Sequence, residues 1–210
     1  MKVLFLTDSL ALPRDKPEKV AFTNTYIQLF KKAHPDAEVQ QLSIGGATIS
    51  ELVKASKYYK SFSPDVVVLQ AGIVDCAPRA LRKSEQKLLK RIPVIGKMLL
   101  KVVSSNSTRL RKLRKIAYTN LGNFHTFNLR LKELFNKSEV IAISIMPAGN
   151  EYEKRVPGIT SNIISYNQVL KDCFTTVGDK ASLDMLMSDF HHLNKAGHQF
   201  IFEELNRVLK

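Results

Sequence analysis

Four short apolar runs, separated by stretches with a helical pattern, constrain the fold of this chain more than any other feature. The runs cover residues 3–6, 38–42, 66–70 and 140–145, and three of them are nearly continuous, as in strands buried on both faces. Helical patterns occupy residues 19–33, 49–59, 80–135, 161–177 and 195–209. Strands that alternate with helices predict an α/β fold with a parallel sheet and right-handed crossovers.

The length and composition are those of one compact domain. With 210 residues, 44% of them hydrophobic, the chain can bury a sizeable core, which excludes a disordered class. We expect residues 1–210 to form a single domain. The apolar run at 3–6 is too short for a secretory signal, and the stretch 92–103 is shorter than the roughly 20 residues that span a bilayer. The expected location is therefore the cytoplasm.

The two cysteines predict neither a disulfide framework nor a metal site. Cys76 and Cys173 lie far apart, and no Cys or His residue accompanies them at metal-ligand spacing. Free thiols in a reducing compartment are the favoured interpretation. We expect no metal ion and no other cofactor.

Two segments at opposite ends of the chain hold the residue types needed for serine nucleophilic catalysis. The sequence Thr7-Asp8-Ser9-Leu10 places a hydroxyl directly after the first predicted strand, and Asp189 and His192 offer a carboxylate and an imidazole three residues apart. In parallel sheets, ligands bind beyond the carboxyl ends of the strands. Ser9, Gly46 and Gly72 each follow a predicted strand, so we expect all three at that edge.

These segments resemble the conserved blocks of the SGNH, or GDSL, hydrolases. The first block, Gly-Asp-Ser-Leu, is similar to residues 7–10, with Thr7 in place of Gly, and the Gly of the second block is similar to Gly46. The last block is matched by Asp189, His192, Leu193, Asn194, Gly197 and His198. The resemblance spans residues 3–198 with the blocks in family order. It implies a three-layer α/β/α fold with a mostly parallel, flavodoxin-like sheet.

The resemblance also implies a role for each matched residue. Ser9 would be the nucleophile of an ester hydrolase, His192 its general base, and Asp189 the carboxylate that orients the imidazole. The backbone amides of Ser9 and Gly46 would form the oxyanion hole. His191 is the rival base, but its spacing from Asp189 fits the block less well than that of His192.

The third block departs from the family pattern. The family's Gly-x-Asn-Asp supplies a side-chain amide to the oxyanion hole, whereas this chain has Gly72-Ile73-Val74-Asp75, and valine donates no hydrogen bond. Loss of one such donor typically costs about 2.7–4 kcal/mol of transition-state stabilisation. Arg79 and Asn150 are the candidate substitutes. Alternatively, Arg79 forms an ion pair with Asp75 or is a solvated charge.

Nearly all the net positive charge lies in one segment. From Arg79 to Lys115 there are 13 Lys and Arg residues against the single acid Glu85, in a chain of net charge +13. We expect a basic helical insert at about 79–117. Its mixture of cations and apolar residues predicts peripheral contact with an anionic membrane through residues 84–114. A solvated lid over the active site and a patch for an anionic glycan stay open, whereas nucleic acid is not expected, because the basic segment contains no aromatic residue before Tyr118.

The expected function is hydrolysis of acyl esters through an acyl-enzyme. The substrate expected from the resemblance and the basic insert is an O-acetyl group on a carbohydrate or lipid-linked glycan, at the inner face of the membrane. An O-acyltransferase of polysaccharide biosynthesis that uses the same residues is one alternative. The other alternative is a weakly catalytic or non-catalytic glycan-binding protein, because Val74 leaves the oxyanion hole without its usual side-chain donor.

Overall fold

A five-stranded, all-parallel sheet forms the centre of the molecule. The structure is a computed structural model that describes residues 1–209. The strands are β1 (Lys2–Thr7), β2 (Glu38–Ser43), β3 (Val66–Gln70), β4 (Glu139–Ile143) and β5 (Thr175–Val177). Their order is β2-β1-β3-β4-β5, which is the flavodoxin-like arrangement. The predicted fold class is therefore confirmed.

Helices cover both faces of this sheet. The α-helices are α1 (Tyr26–Ala33), α2 (Ile49–Ser56), α3 (Ile73–Cys76), α4 (Lys83–Arg91), α5 (Ile95–Ser105), α6 (Ser107–Arg114), α7 (Leu121–Leu134), α8 (Asn150–Arg155), α9 (Ile159–Cys173) and α10 (Lys195–Val208). Short 3₁₀ helices occupy Ser9–Ala11, Phe22–Asn24, Lys57–Phe62 and Leu183–Met185. No helix within residues 1–209 is long and apolar enough to cross a membrane.

The two faces of β1 contribute to two separate cores. Leu4 and Leu6 pack with the buried sides of α2, α7 and α9, whereas Val3 and Phe5 pack with those of α1 and α10. All four side chains are fully buried. The near-continuous apolar run at the start of the sequence therefore reflects burial on both faces of the sheet.

Three predicted elements differ from the observed ones. The predicted helix 161–177 ends at Cys173, and residues 175–177 instead form the short edge strand β5, whose three residues give too weak a pattern to predict. The predicted helix 19–33 is helical only from Tyr26 onward, after a 3₁₀ turn. The tract 80–135 consists of four helices, α4 to α7, and Pro93 lies in the break between α4 and α5.

The first and last residues of the basic tract lie next to each other. Arg79 and Ile116 form an antiparallel bridge, with the Arg79 amide donating to the Ile116 carbonyl at 2.7 Å, so the chain leaves and returns at the same place. Between these points α4, α5 and α6 pack on one another. The Arg114 guanidinium pairs with Glu85 at 2.6 Å. The tract is therefore a folded helical excursion beside the carboxyl edge of β3.

Gly72 occupies a backbone position that other residues fit poorly. It follows β3 with a φ of +129°, and a Cβ atom there would lie 2.5 Å from Cδ1 of Ile145. Glycine alone adopts such a conformation without strain. Gly46, with a φ of +68°, faces open space and needs glycine only for its backbone conformation.

We predict that Gly72→Ala lowers the free energy of unfolding by about 1–3 kcal/mol, because alanine would be strained at this φ and would displace the Ile145 side chain. Urea denaturation followed by circular dichroism measures the change. Gly45→Ala is the matched control: Gly45 has no positive φ and nothing within 4 Å of the added Cβ, so we expect a change within about 0.5 kcal/mol. Equal effects of the two substitutions would contradict the assignment of strain to Gly72.

Candidate active site

Ser9 lies at the carboxyl end of the central strand β1. Directly after β1, Asp8 donates its backbone amide to the carbonyl of Gln70 on β3 at 3.0 Å, and its side chain accepts the Leu10 amide at 2.9 Å. These bonds cap the 3₁₀ turn Ser9–Ala11, of which Ser9 is the first residue. Burial raises the pKa of Asp8 to about 7. Asp8 therefore has a structural role beneath the turn, and Ser9, which is half-buried, is the first residue of the turn.

The segment before α10 brings an imidazole to Ser9. Asp189 accepts the backbone amide of His192 at 3.1 Å, and its other carboxylate oxygen lies 2.6 Å from Nδ1 of His192. The opposite ring nitrogen, Nε2, lies 3.3 Å from the Ser9 hydroxyl oxygen. Ser9, His192 and Asp189 thus form a continuous hydrogen-bonded chain, although residues 9 and 189 are far apart in sequence.

His191 lies next to this chain but is not part of it. Its Nδ1 lies 3.0 Å from the backbone carbonyl of Asp189, and its ring stacks on Tyr152 with centroids 5.8 Å apart. The His191 and His192 ring centroids are 4.1 Å apart. Of the two adjacent histidines, the structure places His192 against Ser9 and His191 in the wall of the cleft.

Arg14 also belongs to the site, although no sequence pattern pointed to it. It lies in the loop between β1 and α1, where it forms an isolated antiparallel bridge with Val20. Its Nη2 lies 2.5 Å from Nε2 of His192. Because a neutral imidazole has one lone pair, Arg14 and the Ser9 hydroxyl compete to donate to the same nitrogen. No motif surrounds Arg14, and only the path of its loop brings it here.

The surroundings keep His192 neutral at pH 7. Burial lowers its pKa most strongly, the charges of His191 and Arg14 lower it further, and the hydrogen bond and charge of Asp189 oppose them, for a net value of about 4. The hydrogen bond to His192 contributes to a lowered pKa of Asp189, so that carboxyl is ionised at neutral pH. A neutral imidazole beside an ionised carboxylate can accept a proton from Ser9.

A cleft of about 400 Å³ opens beside Ser9. Residues from several loops line it: Ser9, Gly46, Ile73, Val74, Ala77, Pro78, Arg79, Arg111, Tyr118, Tyr152, Val156 and His191. Within residues 1–209, the Ser9 and Gly46 amides have no hydrogen-bond acceptor among loop or side-chain groups. Two free backbone donors on the cleft wall are what an oxyanion requires.

Val74 and Arg79 lie in this cleft, but Asn150 does not. Nη2 of Arg79 donates to the Val74 carbonyl at 3.3 Å, and the guanidinium lies 4.7 Å from the Tyr118 ring centroid. The suggested ion pair between Arg79 and Asp75 is absent from the described part of the chain, since buried Asp75 accepts hydrogen bonds from the Ile49 amide and the Thr119 hydroxyl. Asn150 is exposed and lines a separate cleft.

One group of side chains has the composition of a metal site. Asp189, His191 and His192 each offer a ligand atom, all within 4.8 Å of one another. Two of them, however, already bond to each other at 2.6 Å, and Nε2 of His192 lies within hydrogen-bonding distance of Ser9 and Arg14. The ligand atoms of His192 and Asp189 are therefore already engaged by other groups of the protein. Cys76 and Cys173 are both buried free thiols.

The fold is shared with solved structures of lipolytic proteins. A lipase/acylhydrolase from Enterococcus faecalis superposes with a TM-score of 0.66 at 15% identity, covering 99% of this chain and 94% of that one. A lipolytic protein of the G-D-S-L family from Veillonella parvula gives 0.62 at 9% identity, covering 99% and 97%. The acetyl xylan esterase AlAXEase gives 0.62 at 17% identity, covering 100% of both chains.

These similarities establish the fold over the whole chain. The sequence blocks resemble those of SGNH and GDSL hydrolases, and the fold which that resemblance implies is the one that these solved structures share with this chain. No protein-family model matches the sequence, and no curated protein matches it significantly.

We predict that His192 titrates with a pKa of about 4 in the folded protein. Arg14→Ala removes a positive charge beside the ring and raises this pKa, whereas Asp189→Asn removes a group that favours the imidazolium and lowers it further. Imidazole chemical shifts followed by NMR during a pH titration measure both changes. His198, whose pKa is also lowered to about 4 but by burial alone, is the internal control. A His192 pKa that Arg14→Ala leaves unmoved would contradict the assigned contact.

Proposed function

We propose that this protein is a serine-dependent hydrolase of acyl esters. The observation that carries the proposal is the hydrogen-bonded chain from Ser9 through His192 to Asp189 at the mouth of a cleft. The fold supports it, because solved structures with this fold include a lipase/acylhydrolase and an acetyl xylan esterase.

Acylation begins when the Ser9 hydroxyl attacks the ester carbonyl carbon. His192 accepts the hydroxyl proton at Nε2 as the new carbon–oxygen bond forms, and Asp189 stabilises the resulting imidazolium through Nδ1. The Arg14 guanidinium must leave Nε2 for this transfer, since the nitrogen cannot accept both groups. Collapse of the tetrahedral intermediate transfers the same proton from His192 to the departing alcohol and leaves an acyl group on Ser9.

Deacylation repeats the steps with water. His192 takes a proton from the water that attacks the acyl-enzyme, and it returns that proton to Ser9 when the carboxylic acid leaves. In both steps the Ser9 and Gly46 amides donate to the oxyanion. Arg79 is the substitute donor for the amide missing at Val74, because it is the sequence candidate that lies in this cleft.

Within this class, we propose an O-acetyl group on a carbohydrate or lipid-linked glycan as the substrate. The acetyl xylan esterase among the structural neighbours supports this choice. An O-acyltransferase differs only in the second step, where a sugar hydroxyl replaces water. A non-catalytic glycan-binding protein is the alternative that Val74 favours, and loss of Ser9 would not affect its binding.

We predict that Ser9→Ala lowers kcat/KM for p-nitrophenyl acetate by about 1,000-fold or more, because the nucleophile is lost while the cleft is kept. Release of p-nitrophenol measures the rate. Ser161→Ala, on the exposed side of α9, is the matched control and should retain full activity. Wild-type protein should also form a covalent adduct with a fluorophosphonate at Ser9, observed by mass spectrometry. Equal rates for wild type and Ser9→Ala would contradict the proposal.

We also propose that the basic tract contacts an anionic membrane through α5. Ile95, Met98, Leu99 and Val102 follow the i, i+3, i+4, i+7 spacing of one helix face, and each is between 41 and 61% exposed. Val94, just before the helix, is 78% exposed. An apolar stripe of this kind is unusual on a water-exposed helix and typical of helices that lie in a membrane interface.

The positive charge of the basic tract favours an anionic membrane as the surface that this stripe contacts. Residues 84–114 contain nine Lys and Arg residues and only one acid, Glu85, which is already paired with Arg114. Each cation near an anionic lipid surface contributes about 1 kcal/mol to binding. A second copy of this chain would face the same cations and be repelled by them.

We predict that Met98→Glu lowers partitioning onto phosphatidylserine-rich vesicles by about tenfold or more, because burial of such a side chain contributes about 1.5–3 kcal/mol. Co-sedimentation measures the partition coefficient. Ile164→Glu is the matched control: Ile164 is 67% exposed on α9, outside the basic tract, and should not affect binding. Unchanged pelleting of Met98→Glu would contradict the membrane proposal. Conversion of a dimer to a monomer by Met98→Glu would assign the stripe to a second copy instead.

A further inference from the structure

Two arginines line the Ser9 cleft. Arg79 follows α3, and Arg111 lies on α6 in the basic tract. We propose that these guanidinium groups bind an anionic oxygen group, a carboxylate or a phosphate, carried by the ester substrate. The inference rests on the proposed esterase function, since it assigns a substrate class to the same cleft.

Neither guanidinium has an acidic partner. Across residues 1–209, no salt bridge involves Arg79 or Arg111. Their hydrogen bonds go to backbone carbonyls: Arg79 to that of Val74 at 3.3 Å, and Arg111 to that of Arg155 at 2.7 Å. The Nε atom of each is buried without a hydrogen-bond partner in the described chain. Both side chains are half-buried, so their charges are partly removed from water without neutralisation, and an anion would offset that cost.

The two positive charges also repel each other. Both arginines line the same cleft; burial lowers the pKa of Arg111, and the charge of Arg79 lowers it further. Tyr152 lies near both, since both charges act to lower its pKa, although burial raises it to about 12 overall. An anion placed between the guanidinium groups would replace repulsion with two attractions.

The nearby carboxylates cannot supply that anion. Asp189 is engaged by His192 at 2.6 Å. Asp75 is fully buried and accepts hydrogen bonds from the Ile49 amide and Thr119. An anionic group of a ligand in the cleft can therefore pair with the two arginines.

Both guanidinium groups are held in place before any ligand arrives. Arg79 lies against the Tyr118 ring, which is itself fixed by a hydrogen bond from Gln86 at 2.7 Å. Arg111 is anchored on Arg155 of α8. A planar guanidinium can donate two parallel hydrogen bonds to a carboxylate or a phosphate, and prior fixation reduces the entropy lost on binding. A cleft of about 400 Å³ accommodates a small substrate with both an ester and an anionic group.

Binding to the Ser9→Ala protein tests the subsite without any turnover. Isothermal titration calorimetry with phenyl phosphate, benzoate and the neutral probe benzyl alcohol should show binding of the two anions and none of the alcohol. Adding Arg111→Ala should weaken anion binding by about tenfold or more, whereas Arg111→Lys, which keeps the charge, should recover part of it. Binding of phenyl phosphate alone would identify the ligand as a phosphate, and binding of benzoate alone as a carboxylate.

Arg109→Ala is the matched control, because Arg109 is exposed on the same helix and does not line the cleft. It removes an equal charge, so binding within about twofold of the parent separates a local subsite from the general field of the basic tract. Anion binding that Arg109→Ala and Arg111→Ala weaken equally, or that neither variant weakens, would overturn the proposal.

Kinetics separates this inference from the proposed function. In the protein that retains Ser9, the ratio of kcat/KM for 4-acetoxybenzoate to kcat/KM for phenyl acetate should fall by about tenfold or more on Arg111→Ala, mainly through KM for 4-acetoxybenzoate. Hydrolysis of both esters without a change in that ratio would overturn the anion subsite and leave the esterase proposal intact. Anion binding to the subsite in a protein that hydrolyses neither ester would overturn the esterase proposal and leave the anion subsite intact.

Discussion

The central position of β1 is the constraint on which the rest of the structure depends. Strands β2 and β3 flank it, and helices bury both of its faces, so its side chains must be apolar as far as its carboxyl end. The chain can become polar only beyond Thr7, and there Asp8 and Ser9 emerge where the strand order changes direction. Because every strand is parallel, Gly46 and Gly72 reach the same edge. The position of the cleft follows from burial of the strand.

The sequence predicted the parts of the fold that local pattern determines. Strands β1 to β4 were predicted nearly at their observed bounds, because continuous apolar runs between helices have few other interpretations. Strand β5 was missed, since Thr175–Val177 offers three residues at an edge and directly follows a helix. Ser9, His192 and Asp189 could be predicted because Ser9 directly follows a strand and because Asp189 and His192 have the three-residue spacing of a known sequence block. Arg14 and Arg111 could not, because loop path and helix docking bring them to the cleft.

The charges around His192 act in opposite directions on catalysis. Burial lowers the pKa of His192 most strongly, and the charges of His191 and Arg14 lower it further, which keeps the imidazole neutral but makes it a weaker base. A more weakly basic imidazole is a better acid, and in the proposed mechanism His192 must also return a proton to the leaving alcohol. Asp189 limits the loss of basicity by stabilising the imidazolium through a 2.6 Å hydrogen bond. The short contact with Asp189 is thus what allows a base to operate in a positive environment.

In the proposed mechanism, the same positive environment compensates for valine at position 74. Attack by Ser9 creates an imidazolium and an oxyanion together, and cations that disfavour the first stabilise the second. Arg79 lies in the cleft wall beside Val74 and donates a hydrogen bond to the Val74 carbonyl. The field of a cation acts at longer range than one hydrogen bond and depends less on geometry. In the proposed mechanism, loss of a directional donor is therefore tolerable in a cleft with an excess of positive charge, and the proposed anion subsite would make the same cleft favour substrates that carry negative charge.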